Sequence, residues 1–447
     1  MRREVRRGRR FVEYLEDNGK HTQEICAGDI NYLDNDGTWK PIDLNWKDDG
    51  SDGFAYCLNK LNYKVRFDSI GAWRWYPRRN VETEYVVIGR PQCWLEATKR
   101  WGNLLVNGIS RDGGNITLTS MRNVTRIIHS RWNGIKTDYI LENGNAPKRY
   151  RYPVELVGII EQDGLLYGAD GEMLGLLTPT IAQDADDKNL PCTSSYSDGY
   201  VEFQVDTEGA TYPITVDPDF VGGTGDGYII GKPTNETSSS ANVTTTTMNC
   251  GFTGNGTTLK TCTRIYLLFD TSSIPDDTNI SQVNLKLTAY SAATIGQNGA
   301  HFDVLIKKYN WGGLTLTDAD DRETAYDGCK SATADDNIWQ NSEDLSANTQ
   351  YPSGNLSTAW INKTGYTYYA LIGSNDQNND GDDYVNGGQS YVTICSANHA
   401  TEAYRPILVV SYGEASTGAV RIEPSLSAVA LGNAVRISAV KKVGLLC

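Results

Sequence analysis

From Phe11 onward the chain alternates apolar and polar residues in short runs, each ending at a tight-turn signal. "NYKVRF", "YVVIG" and "YVEFQV" set every second side chain on one face, the period of a strand with one buried and one wet side. The breaks "DNGK", "DNDG", "RDGG", "ENGN", "ADGE" and "SDGY" supply the positive φ angles that close hairpins. No window of helical length holds a sustained i, i+3, i+4, i+7 apolar face. The pattern predicts an all-β protein whose first half is a succession of antiparallel hairpins.

The stretch "ATYPITVDPDF" at residues 210–220 breaks that succession. Pro218 has no N–H to give a ladder and restrains the residue before it, so the strand stops there and "VGGTGDG" reads as a linker. The expected organisation is a basic arm at 1–10, an all-β domain at 11–218 and a Gly-rich linker at 219–227. A jelly-roll-like β-sandwich at 228–412 and an apolar, β-prone tail at 413–447 follow. In the sandwich, "RIYLLFDTSSIP" is a buried central strand, and Val283, Leu285, Leu287 and Ala289 share one face of the next. "HFDVLIKKY", "YTYYALIG", "SYVTICSA" and "RPILVVSY" continue the pattern around an Asp-rich stretch, residues 315–350, that reads as a long loop. In the tail, Ala419-Val420-Arg421-Ile422 repeats as Ala434-Val435-Arg436-Ile437. It either packs on its own sandwich or adds a strand to a neighbour's sheet edge, and the second reading suits an apolar tail better.

Composition agrees with strands and turns: 44 Gly and 26 Tyr stand beside only 4 Met in 447 residues. The formal net charge of −14 argues against nucleic acid as a partner. Basic charge gathers in the arm, where Arg2, Arg3, Arg6, Arg7, Arg9 and Arg10 face only Glu4. Such an arm is expected to order by docking on an acidic neighbour, another copy of the same body. The arginines are not followed by the apolar core of a signal peptide, and no run of 18 apolar residues exists, so membrane insertion is not expected. Nine cysteines without a CxxC pair suggest free thiols in a reducing compartment, with a Cys250–Cys262 bridge across a hairpin as the alternative.

The chemistry is sparse, and no catalytic activity is expected. There is no GxSxG elbow, His21, His129, His301 and His399 lie in unrelated contexts, and "GGTGDG" lacks the lysine and helix of a phosphate loop. "DQNNDGDD" sets Asp376, Asn378, Asp380 and Asp382 at alternate positions around a Gly turn, the hard-oxygen spacing of a calcium loop. Gly387 stands where the closing Glu belongs, which leaves an ordinary Asx-rich loop as the alternative, and no other cofactor is called for. For carbohydrate the candidates are Trp311, Tyr326, Trp339 and Tyr351, aromatics that either stack on sugar faces or cap the open end of the sandwich. Trp39 and Trp46 read as hairpin-packing residues.

"RIYLLFDTSSIP" followed by "ISQVNLKLTAYSA", Trp360-Ile361-Asn362 leading into "TGYTYYALIG", and the closing "AYRPILVVSY" come in a recognisable order. In these the second body resembles the DNRLRE-type β-sandwich, a jelly-roll module of bacterial surface proteins and of tailed-phage structural proteins. The first body is similar to the region that precedes such modules. The resemblance implies a non-enzymatic virion structural protein, a capsid or tail appendage or fibre component, assembled in the host cytoplasm. Its partners would be its own copies, through arm and tail exchange, and other virion proteins. The alternative is an extracellular or cell-surface adhesive protein that binds carbohydrate, including a host-surface glycan.

Overall fold

The computed structural model describes the chain except residues 1, 51–52, 163, 178–179, 187, 189, 218–219, 222–226, 233–236, 244, 256–257, 296–300, 313–315, 317–318, 333, 379–388, 400 and 414–447. The fold is all-β, built of antiparallel ladders, with two helices among the described residues. The expected alternation holds in several strands. In Lys64–Asp68, Val65 and Phe67 are buried, and in Arg149–Val157, Tyr150, Tyr152 and Val154 are buried while the residues between them are not.

The N-terminal body is a sandwich of two sheets. One runs from Arg100–Asn103 through Gln92–Leu95, Arg149–Val157, Tyr85–Ile88 and Trp73–Tyr76 to Lys47–Asp48, and Tyr200–Val205 pairs onto Arg149–Val157. The other centres on Asn115–Ser120, Val124–Arg131 and Gly134–Leu141. Phe67, Trp75, Val86, Tyr150 and Phe203 from the first meet Ile116, Ile128, Tyr139 and Val216 from the second in one apolar core. Phe220–Val221 still belongs to this body, and Gly227–Lys232 already pairs with Thr258–Asp270 of the second. The changeover therefore falls in the Gly-rich stretch.

The second body does not begin there. Strands β1 (Arg3–Arg7), β2 (Phe11–Leu15) and β3 (His21–Cys26) form a meander, and β3 pairs antiparallel with Ile407–Gly413 from His21↔Tyr412 to Cys26↔Ile407. The pairing thus assigns residues 3–26 to the sheet of the second body, and the boundary expected at residue 11 does not coincide with it. The N-terminal body is an insertion between the third strand of this sheet and the rest. The strands curl around a core holding Ile25, Ile265, Leu267, Leu285, Leu371, Ile394 and Val410, and Asn279–Ala289 touches Gln389–Cys395 through a single ladder pair, Ala289↔Ile394.

Two further findings concern stretches that the sequence reading singled out. Within the stretch expected as a loop, Ala319–Ser331 is a helix, α1, followed by the strand Ala334–Asn341. Asp320 and Asp321 sit in its positive first turn. Ala325, Tyr326 and Cys329 bury one face of it against Tyr266 and Ala370, making a third layer. Lys307, itself buried, donates its Nζ to the carbonyls of Lys330 (2.7 Å) and Ala332 (3.0 Å) at the helix end. Secondly, the arm is spent on its own chain. Arg2 pairs with Glu24 at 2.9 Å and Arg6 with Glu13 at 2.6 Å. Arg7 pairs with Glu4 at 2.8 Å, Arg9 and Arg10 share Asp29, and Arg3 lies exposed on β1. The acidic partners were supplied locally by β2, β3 and the loop after them. The tail beyond Gly413 lies outside the described residues.

Candidate functional site

The four aromatics singled out for sugar do not form a solvent-facing platform. Trp311 is buried edge-on to Tyr266 (5.4 Å) and Tyr368 (4.8 Å). Tyr326, on the inner face of α1, is fully buried, with its hydroxyl donating to the carbonyl of Cys262 at 3.3 Å. Trp339 is buried and donates its indole N–H to the carbonyl of Tyr351 at 3.0 Å, and the half-buried Tyr351 donates to the carbonyl of Asp344. These rings pack under layers that the sequence reading had left open.

The candidate calcium ligands separate in the same way. Asp376 lies at the start of the short helix α2 (Ser374–Asn378), buried, and both its oxygens accept from Arg264, Nε at 2.7 Å and Nη2 at 2.8 Å. Arg264 is also fully buried, and its guanidinium lies 3.8 Å from the centre of the Tyr326 ring. Burial works against the charge, but the hydrogen bonds and charge of Asp376 outweigh it and hold the guanidinium above its ordinary pKa. A carboxylate so committed is not a free metal ligand. Asn378 is exposed, Asp380 and Asp382 lie outside the described residues, and no metal-binding group of side chains occurs among the described residues.

The described cysteines are free thiols, Cys250 and Cys262 included. Burial pushes Cys26 and Cys329 up to about 11, the state of packing residues rather than nucleophiles.

Two surfaces remain that sequence reasoning did not find. The first is the outer face of the sheet formed by Arg100–Asn103, Gln92–Leu95, Arg149–Val157 and Tyr200–Val205. Where the inner face sends Cys93, Tyr150 and Phe203 into the core, the outer one carries Trp94, Trp101, Arg149, Arg151 and Tyr200. Trp94 and Trp101 sit directly opposite each other in the ladder, rings 5.5 Å apart. Arg149 lies 5.4 and 5.2 Å from their ring centres, and Arg151 lies 4.4 Å from Trp101 and 4.3 Å from Tyr200. Arg149 donates to Glu202 (2.5 Å) and Arg151 to Gln92 (2.7 Å), so both guanidinium planes are fixed. A groove of about 570 Å³ opens beside Trp94 and Arg149, walled by residues 96–98 and 144–148. The signal was present as "QCWL", "RWGN" and "RYRYPV", whose alternate residues are aromatic or basic on the wet face.

The second surface is the seam between the bodies. Trp132, in the turn after Val124–Arg131 of the N-terminal body, enters the core of the second. Gly28 makes this approach fit, since a Cβ there would stand 2.9 Å from the Trp132 ring. Beside it Asp29, buried, accepts from Arg9 (2.7 Å), Arg10 (2.8 Å) and Asn62 (2.8 Å), while its carbonyl accepts from the buried Arg405 at 3.0 Å. For Arg10, burial disfavours the charge and Asp29 more than restores it, so the pKa lies above the ordinary value. Asn133 donates to Asn398 across the same seam at 3.1 Å.

No protein-family model matches the chain, and no curated protein does. Among solved structures, the Trypanosoma rangeli sialidase in complex with sialic acid aligns at 10% identity over 92% of this chain and 95% of that one, with a TM-score of 0.13. A likeness at that level carries no argument about fold or chemistry, and the DNRLRE resemblance rests on its sequence motifs alone.

Proposed function

We propose that this is a non-enzymatic β-sandwich protein that binds carbohydrate on the outer face of its N-terminal body. The observation that carries the reading is the ladder of Trp94, Trp101 and Tyr200 interleaved with Arg149 and Arg151. Half-buried rings give apolar area for the C–H face of a sugar ring, and guanidinium, amide and carboxylate groups on the same face of the sheet give hydroxyls their partners. Because strand pairing and the Arg–Glu and Arg–Gln contacts already hold these groups, binding needs little reordering. The test is a glycan array read with the intact protein, then titration of the best ligand. Replacing Trp94 or Trp101 by Ala is expected to weaken it at least about tenfold, about 1.4 kcal/mol, with the melting temperature of the N-terminal core retained. An array without a ligand, or a ligand indifferent to both substitutions, rejects the reading.

A second reading keeps the phage-type virion structural protein, with copies joined by exchange of terminal segments. What favours it is the docking of β1–β3 onto Ile407–Gly413. This terminal unit is held by a ladder that a neighbouring copy can supply in the same register.

A further inference from the structure

The seam encloses a cleft of about 550 Å³, a volume suited to a small molecule. Its lining includes Arg9, Arg10, Arg78, Arg79, Trp75 and Trp132. Five N–H groups of these residues are buried without an acceptor: the indole Nε1 of Trp75 and of Trp132, Nε of Arg78, and Nε and Nη1 of Arg79. Trp75 and Trp132 are each only 2% exposed, so bulk water does not satisfy them. The charge balance points the same way. Arg9 and Arg10 share the single carboxylate of Asp29, and Arg79 reaches Asp34 only at 3.4 Å, an acid already bound to Lys40. Arg78 is the exception, paired with Glu84, Asp170 and Glu172. Among the lining residues four arginines meet two carboxylates, Asp29 and Glu172, so the wall is positive in a chain of net charge −14. Asp34, Glu84 and Asp170 stand behind it. The rim adds apolar contact, with Leu33, Met173 and Tyr366 lining the cleft and exposed.

We propose that the seam cleft binds a small polyanion bearing two or more carboxylate, phosphate or sulfate groups, whose oxygens accept from Arg79, Trp75 and Trp132. Fixed N–H donors facing a desolvated site are the arrangement that charge-assisted recognition of oxyanions uses. Because residues of both bodies line the cleft, its occupant clamps them together. The proposal does not depend on the glycan-binding face. The experiment is calorimetric titration of the intact protein at low salt with inorganic pyrophosphate, citrate and a trimeric hexuronate. Saturable binding of at least one, near one per chain and accompanied by a rise in melting temperature, is expected. Preference for pyrophosphate identifies a phosphate source, and preference for the hexuronate an acidic sugar. Arg79→Gln and Trp75→Phe should each weaken binding at least tenfold. Should Arg79→Gln fail to fold, Trp75→Phe, which keeps a six-membered aromatic ring and loses the pyrrole half of the indole with its N–H, decides alone. No saturable binding of any of the three, or full binding by a folded Trp75→Phe protein, overturns the proposal.

Discussion

At the scale of single residues, the clearest consequence belongs to Asp376. Replacing it by Ala leaves the Arg264 guanidinium buried without its carboxylate, the arrangement that typically costs about 3–5 kcal/mol. Urea unfolding of the second body should register that loss, and an unchanged midpoint would show that the Tyr326 carbonyl and ring suffice for Arg264 without it. This residue also shows where sequence reading stops. The run "DQNNDGDD" displays Asp376 with its neighbours at calcium-loop spacing, while its actual partner lies 112 positions away and leaves no local trace. Where the partner is the core as a whole, residues were legible. Val283, Leu285, Leu287 and Ala289 are all fully buried, as period-two alternation required.

Elements were legible when a local pattern encoded them. Hairpins announced by Asn-Gly and Asp-Gly turns are present, for example Cys192–Ser197 with Tyr200–Val205 at "SDGY". Helix α1 escaped because its buried face is a narrow stripe, Ala325, Tyr326 and Cys329, amid charges. Gly328, a poor helix former, is there because a Cβ would stand 2.1 Å from the Tyr309 hydroxyl. The β1–β3 meander reads as a hairpin whichever sheet receives it, so its destination was invisible. Its docking should depend on pH through Glu13. Burial pushes this carboxyl up, but hydrogen bonds from Arg6 and His21 more than offset that, and its pKa is lowered. A lowered carboxylate stabilises the fold fully above the unfolded glutamate value, about 4.3, and loses the effect as pH falls through the folded one. Hydrogen exchange should therefore show residues 11–15 losing protection as pH falls below about 4.3, before the N-terminal core does. The Glu13→Gln protein should show that loss already at neutral pH, and equal protection in both would remove Glu13 as the cause.

At the scale of the molecule, two bodies were legible from the Asp217-Pro218 stop and the glycines behind it, but not that one is inserted in the other. Periodicity reports a strand's own faces and is silent about a ladder partner at the far end of the chain. This topology gives the exchange reading a definite test. Light scattering of the full-length protein at low salt and near 1 M, where screening shortens to about 3 Å, should find an oligomer that weakens with salt if copies trade β1–β3. The Lys286–Glu24 and Gln23–Ser273 contacts would then form between chains, while Arg2–Glu24 and Arg6–Glu13 travel inside the traded unit. A monomer at both salts confines the first two contacts to one chain and ends that reading.

The β3 ladder also sets a schedule for synthesis. Cys26 leaves the ribosome about 380 residues ahead of Ile407, its neighbour in the sheet. At roughly 5–20 residues per second, that is a wait of about 20–80 s. During that time the inserted sandwich can already have closed, while the first three strands still present a bare edge to the cell. The interval, rather than the finished structure, is when this chain has most need of a chaperone.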